Sequence, residues 1–376
     1  MLKRFEVKGF KNFAHNFVLN FSDIRDYRFN EHCVKEGLLK SGIIYGKNSS
    51  GKSNFSLALF DIVAHLTNNN VSQGLYGSYL NAGNGTDRAR FCYVFQFGKD
   101  EVTYVYNKRS NNTLLFEQLL VNDELLFDCV YGDSPKEIVL TPIEDKFYSS
   151  ELNFSFYTGG SVLKFALNNT ALSEEHPLFK MMIFVSKMLW FRSLEGNTYI
   201  GYKNNDDDYF DLLINDTKSR HEFQEILEMS GVKDRKLSVV AGPDGKKQLY
   251  LRITHNNYQG RILFFEAASS GTKAIYNFFY WYKTAPDTSL MFIDEFDAYY
   301  HFELSETIVD LLGKLPNTQV LLTSHNTNLL TNRIMRPDCF FILTTEKLIS
   351  FANATKRELR EGHNLEKLYA GGEFYE

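Results

Sequence analysis

The chain has 376 residues, of which 44% are hydrophobic and 15% aromatic, so it can bury the core of one large α/β domain or of two lobes. Its formal net charge of −5 excludes a surface that is basic throughout and leaves room only for a local basic groove. Four scattered cysteines without a C-x-x-C spacing, and the lack of an apolar run of eighteen residues, favour a reduced, cytoplasmic protein with no membrane partner.

The N-terminal region is predicted to begin with β structure. Apolar and polar residues alternate over residues 1–21 around a turn, which predicts two antiparallel strands. Further along, residues 89–129 contain β-type runs separated by turn clusters. These runs predict a meander of three or four antiparallel strands.

A glycine-rich loop lies between these two regions, within residues 43–66. The loop reads GKNSSGKS and follows the pattern G-x-x-x-x-G-K-[ST], with a short apolar run before it and an amphipathic helix after it. Glycines let backbone N–H groups converge on phosphate oxygens at a helix start, Lys52 can reach the outer phosphates, and Ser53 can ligate Mg²⁺. A plain Gly- and Ser-rich turn is the structural alternative. The pattern in this context predicts a nucleoside triphosphate site formed by Gly46, Asn48, Ser49, Gly51, Lys52, Ser53 and Asn54.

The middle of the chain is predicted to be mainly helical. Residues 179–190 and 221–229 have apolar patterns typical of helices, and the acidic run at 204–208 is interpreted as a solvated loop rather than a metal site. No stretch sustains a heptad pattern over three repeats, so a long coiled-coil arm is not expected. Strand character returns at residues 237–240, 248–254 and 260–265.

Buried apolar strands alternate with helices in the last third of the chain. The helices are predicted at residues 269–282 and 304–315, and the strands at 290–293 and 320–322. A hairpin is predicted around residues 345–347. Such an alternation favours a mainly parallel sheet.

Polar groups with catalytic chemistry follow these apolar strands. Asp294 stands where one strand leaves the sheet, a position from which a carboxylate can hold Mg²⁺, and Glu295 can accept a proton from an attacking water. His325 ends the next strand, where a neutral imidazole can hydrogen-bond the γ-phosphate or the water. A helix-initiating acidic pair and a structural histidine are the plain alternatives. We predict Lys52, Glu295 and His325 as catalytic residues, and Ser53 and Asp294 as metal ligands.

The segment ASSGTK, residues 268–273, places small hydroxyl residues and a glycine at a predicted helix N-terminus. This arrangement can bind an anion, but on its own it is more typical of helix capping by serine.

These segments together resemble a known family. GKNSSGKS, ASSGTK, LMFIDEFD and LTSHN occur in the order and at the relative distances of the Walker A, signature, Walker B with D-loop and switch-histidine motifs of ABC-type ATPase heads. FEVKGFKNF followed by FVLNF resembles the opening hairpin of the SMC and double-strand-break-repair branch. A head of this kind without a predicted coiled coil, and with the tail LREGHNLEKLYAGGEF, is similar to small stand-alone ATPases of bacterial abortive-infection and anti-phage systems. The resemblance covers both ends of the chain well and residues 130–260 poorly.

The resemblance implies an α/β fold: an ABC-type P-loop ATPase head with an antiparallel β subdomain, a mainly parallel core sheet and a helical insertion. We expect a single head over residues 1–376. Within it we expect an N-terminal lobe at 1–140, a mostly helical insertion at 141–235 and a C-terminal lobe at 236–376.

The resemblance also implies ATP and Mg²⁺ as ligands and further contacts with the nucleotide. Lys11 and Asn12 match where relatives contact nucleotide, and Asp297 falls in the D-loop. Ser270 and Gly271 would contact ATP bound to a second chain.

Three features depart from the family pattern. No aromatic residue can be assigned to the usual stacking on adenine. The signature reads Ser-Ser-Gly-Thr, so Ser269 is an alternative to Ser270 as the serine that acts across the interface. No glutamine stands at the Q-loop position, because Gln96 lies in a predicted strand and residues 155–161 contain none.

The favoured function is an ATP-hydrolysing switch that forms a head-to-tail homodimer, or a higher oligomer, and controls a partner effector. The partner would be a nuclease or toxin encoded nearby, in anti-phage defence. The alternative is an SMC-like DNA-repair ATPase acting with a partner nuclease. Basic residues at 233–236, 246–247 and 356–357 could line a groove for nucleic acid, although solvated surface charge is their ordinary interpretation. An energising subunit of a membrane transporter is disfavoured by the SMC-like N-terminus.

Overall fold

The structure is a computed structural model, and it describes most of the chain. The described residues are 1–69, 73–83, 85–132, 138–142, 154–193, 198–202, 206–232, 235–242, 245–255 and 258–375.

Strands and helices are numbered in chain order. The strands are β1 (Leu2–Lys8), β2 (Phe17–Asn20), β3 (Val34–Lys35), β4 (Leu38–Leu39), β5 (Ser41–Tyr45), β6 (Ala89–Phe97), β7 (Asp100–Ser110), β8 (Thr113–Val121), β9 (Glu124–Tyr131), β10 (Ile138–Pro142), β11 (Met188–Arg192), β12 (Tyr199–Gly201), β13 (Arg235–Ala241), β14 (Lys247–His255), β15 (Tyr258–Leu263), β16 (Leu290–Asp294), β17 (Gln319–Thr323), β18 (Phe340–Leu343) and β19 (Leu348–Ser350). The α-helices are α1 (Lys52–Leu59), α2 (Asp61–Leu66), α3 (Val162–Asn168), α4 (Pro177–Ser186), α5 (Asp206–Asn215), α6 (Thr217–Met229), α7 (Phe264–Ala267), α8 (Ser270–Thr284), α9 (Phe302–Gly313) and α10 (Leu365–Ala370).

One antiparallel sheet is built from the N-terminal region. Its strand order is β10-β9-β8-β7-β6-β1-β2, and every neighbouring pair runs antiparallel. Phe5 and Val7, on strand β1 of this sheet, are fully buried. The predicted opening hairpin and the predicted meander are therefore confirmed, and they form a single sheet.

The second large sheet contains the buried apolar strands. Its order is β12-β11-β16-β17-β5-β18-β19, with the inner strands parallel and the two edge strands antiparallel to their neighbours. Strands β5, β16, β17 and β18 are buried along their whole length, which explains their continuous apolar runs. The mainly parallel core sheet predicted from the sequence is confirmed.

The apolar run at residues 179–190 was predicted as one helix, and this prediction is wrong in its second half. Helix α4 ends at Ser186, and β11 begins two residues later and pairs in parallel with β16. A fully buried strand and a buried helix both appear as unbroken apolar runs, so periodicity alone cannot separate them. The core sheet therefore receives a strand from the region predicted to be mostly helical.

Two other local predictions are revised near this region. Part of the acidic run at 204–208 begins helix α5 rather than a loop, in keeping with the preference of aspartate for a helix's first turn, while residues 203–205 lie outside the described part of the chain. The strands predicted from residue 237 to 265 form the antiparallel sheet β13-β14-β15, but α7 begins at Phe264. Across the described ranges, no helix is long and apolar enough to cross a membrane.

A buried polar cluster joins helix α2 to the antiparallel sheet. The Asp61 carboxylate at the start of α2 accepts hydrogen bonds from Tyr79 Oη at 2.7 Å, Tyr106 Oη at 2.9 Å and Lys108 Nζ at 2.7 Å. Asp61 is fully buried, and breaking a buried ion pair by removing one partner typically costs about 3–5 kcal/mol. The cluster thereby fixes α2, and with it the adjoining α1, against the sheet.

Candidate functional site

The glycine-rich loop connects β5 to α1 and leaves no space for side chains at two of its positions. A Cβ added to Gly46 would lie 2.7 Å from the Leu343 carbonyl oxygen. Gly51 has a φ of +101°, and a Cβ there would lie 2.1 Å from Asn12 Nδ2. Both glycines are therefore required by the fold of the loop itself.

Lys52 occupies the interior of this loop. Its Nζ donates a hydrogen bond to the Gly46 carbonyl oxygen at 2.9 Å, and the residue is only 7% exposed. Burial lowers the pKa of Lys52, whereas the negative charges of Asp294 and Glu295 act to raise it. The ammonium group thus lies within the electrostatic influence of both carboxylates.

Residues from the first strand's turn contact the loop from one side. Asn12 Nδ2 donates to the Ser50 carbonyl oxygen at 3.2 Å, and Asn54 Nδ2 donates to Asn12 Oδ1 at 2.8 Å. Lys11 Nζ instead donates to the Gly77 carbonyl oxygen at 2.7 Å. Asn12 and Asn54 are therefore brought to the loop, while the ammonium group of Lys11 is engaged elsewhere.

The remaining predicted residues of the loop are open to solvent or partly so. Asn48 and Ser49 are exposed, and Ser49 has a left-handed φ of 64°. Ser53 is half-buried in the first turn of α1, and its hydroxyl makes no hydrogen bond to any described residue. These side chains remain available to a ligand.

Thr323, at the end of β17, holds the two acidic residues that follow β16. Its Oγ1 donates to Asp294 Oδ1 at 2.7 Å and accepts a hydrogen bond from the Glu295 backbone N–H at 2.7 Å. Glu295 has a φ of 52°, in the left-handed region that non-glycine residues rarely adopt. The threonine therefore orients one carboxylate and supports the strained backbone of the next residue, a role that the sequence analysis missed.

A second residue that the sequence analysis missed is Arg192, at the end of β11. Its Nε lies 3.3 Å from Asp294 Oδ2, and its Nη2 lies 3.7 Å from Glu295 Oε2. The parallel register places Arg192 directly beside Asp294. Arg192 comes to the site because β11 is a strand of the core sheet, which the sequence pattern does not predict.

His325 and Asp297 lie in adjoining loops at the same edge of the core sheet. Ser324 Oγ donates to Asp297 Oδ2 at 2.6 Å, which ties the two loops together. Burial raises the pKa of Asp297, and the hydrogen bond from Ser324 opposes this. The pKa of His325 is lowered, mainly by partial burial and to a smaller extent by the positive charge of Lys52. The negative charges of Glu295 and Asp294 oppose this shift. The imidazole is thus favoured in its neutral form near pH 7.

The ASSGTK segment begins helix α8. Ser269 Oγ caps the helix by accepting a hydrogen bond from the Thr272 backbone N–H at 3.2 Å, whereas Ser270 is exposed. A Cβ added to Gly271 would come no closer than 3.8 Å to Tyr299, so the fold does not require glycine there. In the described part of the chain, no hydrogen bond or ion pair joins Ser270 or Gly271 to the glycine-rich loop.

The residues present suit a magnesium ion bound together with a phosphate. Among the described residues, no group of three or more His, Cys, Asp and Glu side chains could hold a metal alone. Asp294 is fully buried, and its Oδ2 accepts no hydrogen bond from the residues described. The Asp294 carboxylate and the Ser53 hydroxyl suit Mg²⁺, because this ion usually has few protein ligands and is otherwise coordinated by phosphate oxygens and water.

The predicted basic clusters lie on separate elements. Lys246 and Lys247 belong to the β13–β14 hairpin, and Arg357 pairs with Glu373 at 3.5 Å near the C-terminal helix. Residues 233–234 lie outside the described part of the chain. A groove for nucleic acid therefore stays a prediction.

Comparisons with known proteins cover most of the chain. The sequence model of one family, described as "AAA domain, putative AbiEii toxin, Type IV TA system", matches residues 43–331, about three quarters of the chain. This range contains all of the predicted site residues except Lys11 and Asn12. No curated protein matches the sequence significantly.

Among solved structures, the chain is similar to SMC head domains. The SMC head domain from Thermotoga maritima shares 13% identity with a TM-score of 0.44, over 93% of this chain and 98% of that one. An SMC head bound to the C-terminal winged-helix domain of ScpA shares 14% identity with a TM-score of 0.47, over 93% and 97% of the two chains. A third, an SMC head with an extended coiled coil bound to the C-terminal domain of ScpA, derived from Pyrococcus furiosus, shares 13% identity with a TM-score of 0.44, over 93% and 96%.

The hydroxyl of Thr323 leads to a stability prediction. Thr323→Val keeps the shape of the side chain but leaves Asp294 Oδ1 and the Glu295 N–H without this partner, so we expect the free energy of unfolding to fall by about 1–3 kcal/mol. Thr323→Ser retains the hydroxyl and serves as the matched control, with a smaller loss. Urea denaturation followed by circular dichroism measures both values. Equal unfolding free energies for the two variants would show that the hydroxyl does not hold this edge together.

Proposed function

The chain belongs to the family of AAA domains described as putative AbiEii toxin of type IV toxin–antitoxin systems, and from this premise we propose that it binds and hydrolyses ATP. The observation that carries the proposal is the meeting of Lys52, Asp294 and Glu295 at one edge of the core sheet. Strand β17 pairs in parallel with both β16 and β5, so the acidic pair and the glycine-rich loop follow strands that end at the same edge, and the charges of Asp294 and Glu295 there act to raise the pKa of Lys52. A glycine-rich loop, a cation and a carboxylate pair are the parts that phosphoryl transfer to water requires.

Each residue has a proposed part in the reaction. The backbone N–H groups of the loop and the Lys52 ammonium would bind and neutralise the phosphates, and Ser53 and Asp294 would hold Mg²⁺. When bound, Mg²⁺ neutralises developing charge on the phosphate oxygens. Glu295 accepts the proton of the attacking water, and neutral His325 hydrogen-bonds the γ-phosphate or that water.

We propose that the site is completed by a second copy of the chain. Ser270 and Gly271 are surface residues of α8, and the fold itself has no need of glycine at position 271. A bare backbone at a helix N-terminus can approach a phosphate closely. With the glycine-rich loop of each chain facing the α8 N-terminus of the other, two chains would enclose two nucleotides in a homodimer with two-fold symmetry.

We propose further that closing and opening of this dimer controls a partner effector in anti-phage defence. The family description names a toxin of a toxin–antitoxin system, which supports a setting in which cell growth is arrested. The same description favours a second candidate, namely that this chain is itself the toxic component.

The hydrolysis proposal predicts two separable defects. Lys52→Ala should abolish binding of ATP, because the loop loses the cation that neutralises the outer phosphates. Glu295→Gln should retain binding but reduce turnover at least about 100-fold, since an amide cannot accept the water's proton. Binding is measured with a fluorescent ATP analogue and turnover by phosphate release. Turnover at the wild-type rate in Glu295→Gln would remove this residue from the role of base.

The two candidate roles in the cell differ in one growth experiment. We expect expression of the chain alone to leave bacterial growth unchanged, and expression with the neighbouring reading frame to arrest growth only when Lys52 is intact. Lys52→Ala is the paired control, and growth curves after induction are the measurement. Arrest by the chain alone, abolished by Lys52→Ala, would contradict effector control and favour the toxin role.

A further inference from the structure

The small antiparallel sheet β13-β14-β15 has one face in the hydrophobic core and one face open to solvent. Leu249 and Leu251 of β14 are buried, and Leu237 of β13 lies opposite Leu251 and packs against the same core. Side chains alternate between the two faces of a strand. The residues that lie between these leucines therefore form the outer face of the sheet.

Three cations lie side by side across this outer face. Lys236 of β13 is opposite Arg252 of β14, and Arg252 is opposite Arg261 of β15. All three residues are exposed. Neighbouring strands are about 4.7–4.9 Å apart, so these three residues, which we call the cationic row, span only about 10 Å.

The cationic row carries positive charge that the fold does not balance. In the part of the chain that the structure describes, no carboxylate forms an ion pair with any of its three members. Like charges directly opposite one another destabilise a sheet, and a bound polyanion would remove this repulsion. The row is also not a sample of a generally basic surface, because the whole chain has a net charge of −5.

An aromatic ring lies beside the cationic row on the same face. Tyr250 precedes Arg252 by two residues on β14, and the Arg261 guanidinium carbon lies 5.6 Å from the centre of the Tyr250 ring. The tyrosine is half-buried, so part of its ring is open to solvent next to the exposed guanidinium. Aromatic rings and arginine side chains are the groups on which unpaired bases stack. The outer face therefore combines charges for phosphates with a surface for a base.

We propose that the outer face of β13-β14-β15 binds single-stranded nucleic acid. The cationic row contacts successive phosphates, and an unpaired base stacks on Tyr250 and Arg261. A row about 10 Å wide suits the backbone of one strand, and only an unpaired strand presents the faces of its bases for stacking. The proposal goes beyond the binding and hydrolysis of ATP and does not depend on them.

This surface differs from the basic groove predicted from the sequence. Of the basic residues predicted to line that groove, Lys236 belongs to the cationic row. Arg252 and Arg261 were missed, because they are isolated cations in the sequence and come beside Lys236 only through strand pairing.

Salt-dependent binding to single strands tests the role of the cationic row. Fluorescence anisotropy of labelled DNA and RNA single strands of about 20 nucleotides is measured with the full chain and without ATP. We expect the combined change Lys236→Gln, Arg252→Gln and Arg261→Gln to weaken binding at least about tenfold at low salt. The slope of log affinity against log salt should fall by about two, because each phosphate contact on a single strand contributes about 0.7.

A second triple variant is the matched control for this experiment. Lys8→Gln, Lys99→Gln and Lys347→Gln remove the same charge from exposed lysines outside this sheet. The affinity of this control should change less than about threefold, with the slope retained. Thermal unfolding shows that both triple variants fold.

The aromatic ring is tested separately from the charges. We expect Tyr250→Leu to weaken binding of single strands roughly 5- to 100-fold, because the stacking of one base is lost. Tyr250→Phe is its control and should bind like the parent protein, since it keeps the ring. A duplex of the same length should bind more weakly than either single strand and should be insensitive to Tyr250→Leu.

Three results would overturn the proposal. One is equal loss of affinity in the two triple variants, which would mean that overall charge and not the cationic row attracts the strand. Another is a duplex that binds as tightly as the single strands, with no effect of Tyr250→Leu. The third is a parent protein that binds neither single strand; binding to phosphatidylserine vesicles in that case would assign the row to a membrane surface instead.

Discussion

The candidate site depends on the parallel register of the core sheet. Strands β11, β16, β17 and β5 lie side by side, and the carboxyl ends of parallel strands meet at one edge. This register sets Arg192 beside Asp294, and Thr323 beside Ile44, just before the glycine-rich loop. Polar residues from segments that are far apart in the sequence therefore lie close together at this edge of the core sheet. A slip of one residue would turn the polar group at the end of each strand to the opposite face of the sheet and away from the site.

The site is held ready at some energetic cost. Glu295 adopts a left-handed backbone conformation, which for a residue with a side chain costs on the order of 1–3 kcal/mol. The hydrogen bonds of Thr323 offset this strain and keep the adjoining carboxylate oriented. The carbonyl oxygens of Gly46 and Lys47 accept hydrogen bonds from Lys52 Nζ and hold it in the loop, so phosphate oxygens would replace these two backbone acceptors. Preorganisation of this kind reduces the rearrangement that a charged ligand has to induce.

Local patterns explain which parts of the structure were predictable from the sequence. The glycine-rich loop and the acidic pair each lie in a short segment whose residues and spacing carry the chemistry, and the sheet follows from apolar runs between turns. Arg192 and Thr323 have meaning only through a neighbouring strand, which no local pattern reveals. The apolar run at 179–190 contains the start of a core strand that periodicity does not distinguish from a helix, so the position of Arg192 beside Asp294 could not be predicted.

The central claim is that two chains share each ATP, and mixing two inactive variants tests it most directly. Lys52→Ala disables the loop of one chain, and Gly271→Glu places a charged side chain on the surface of α8, where the fold has room for it. In a mixed dimer, one site would combine the intact loop of one chain with the intact α8 of the other. The account predicts that phosphate release, absent from each variant alone, returns in an equal mixture to roughly a quarter of the wild-type rate. A mixture as inactive as its components, made from variants that are folded and exchange partners, would contradict it.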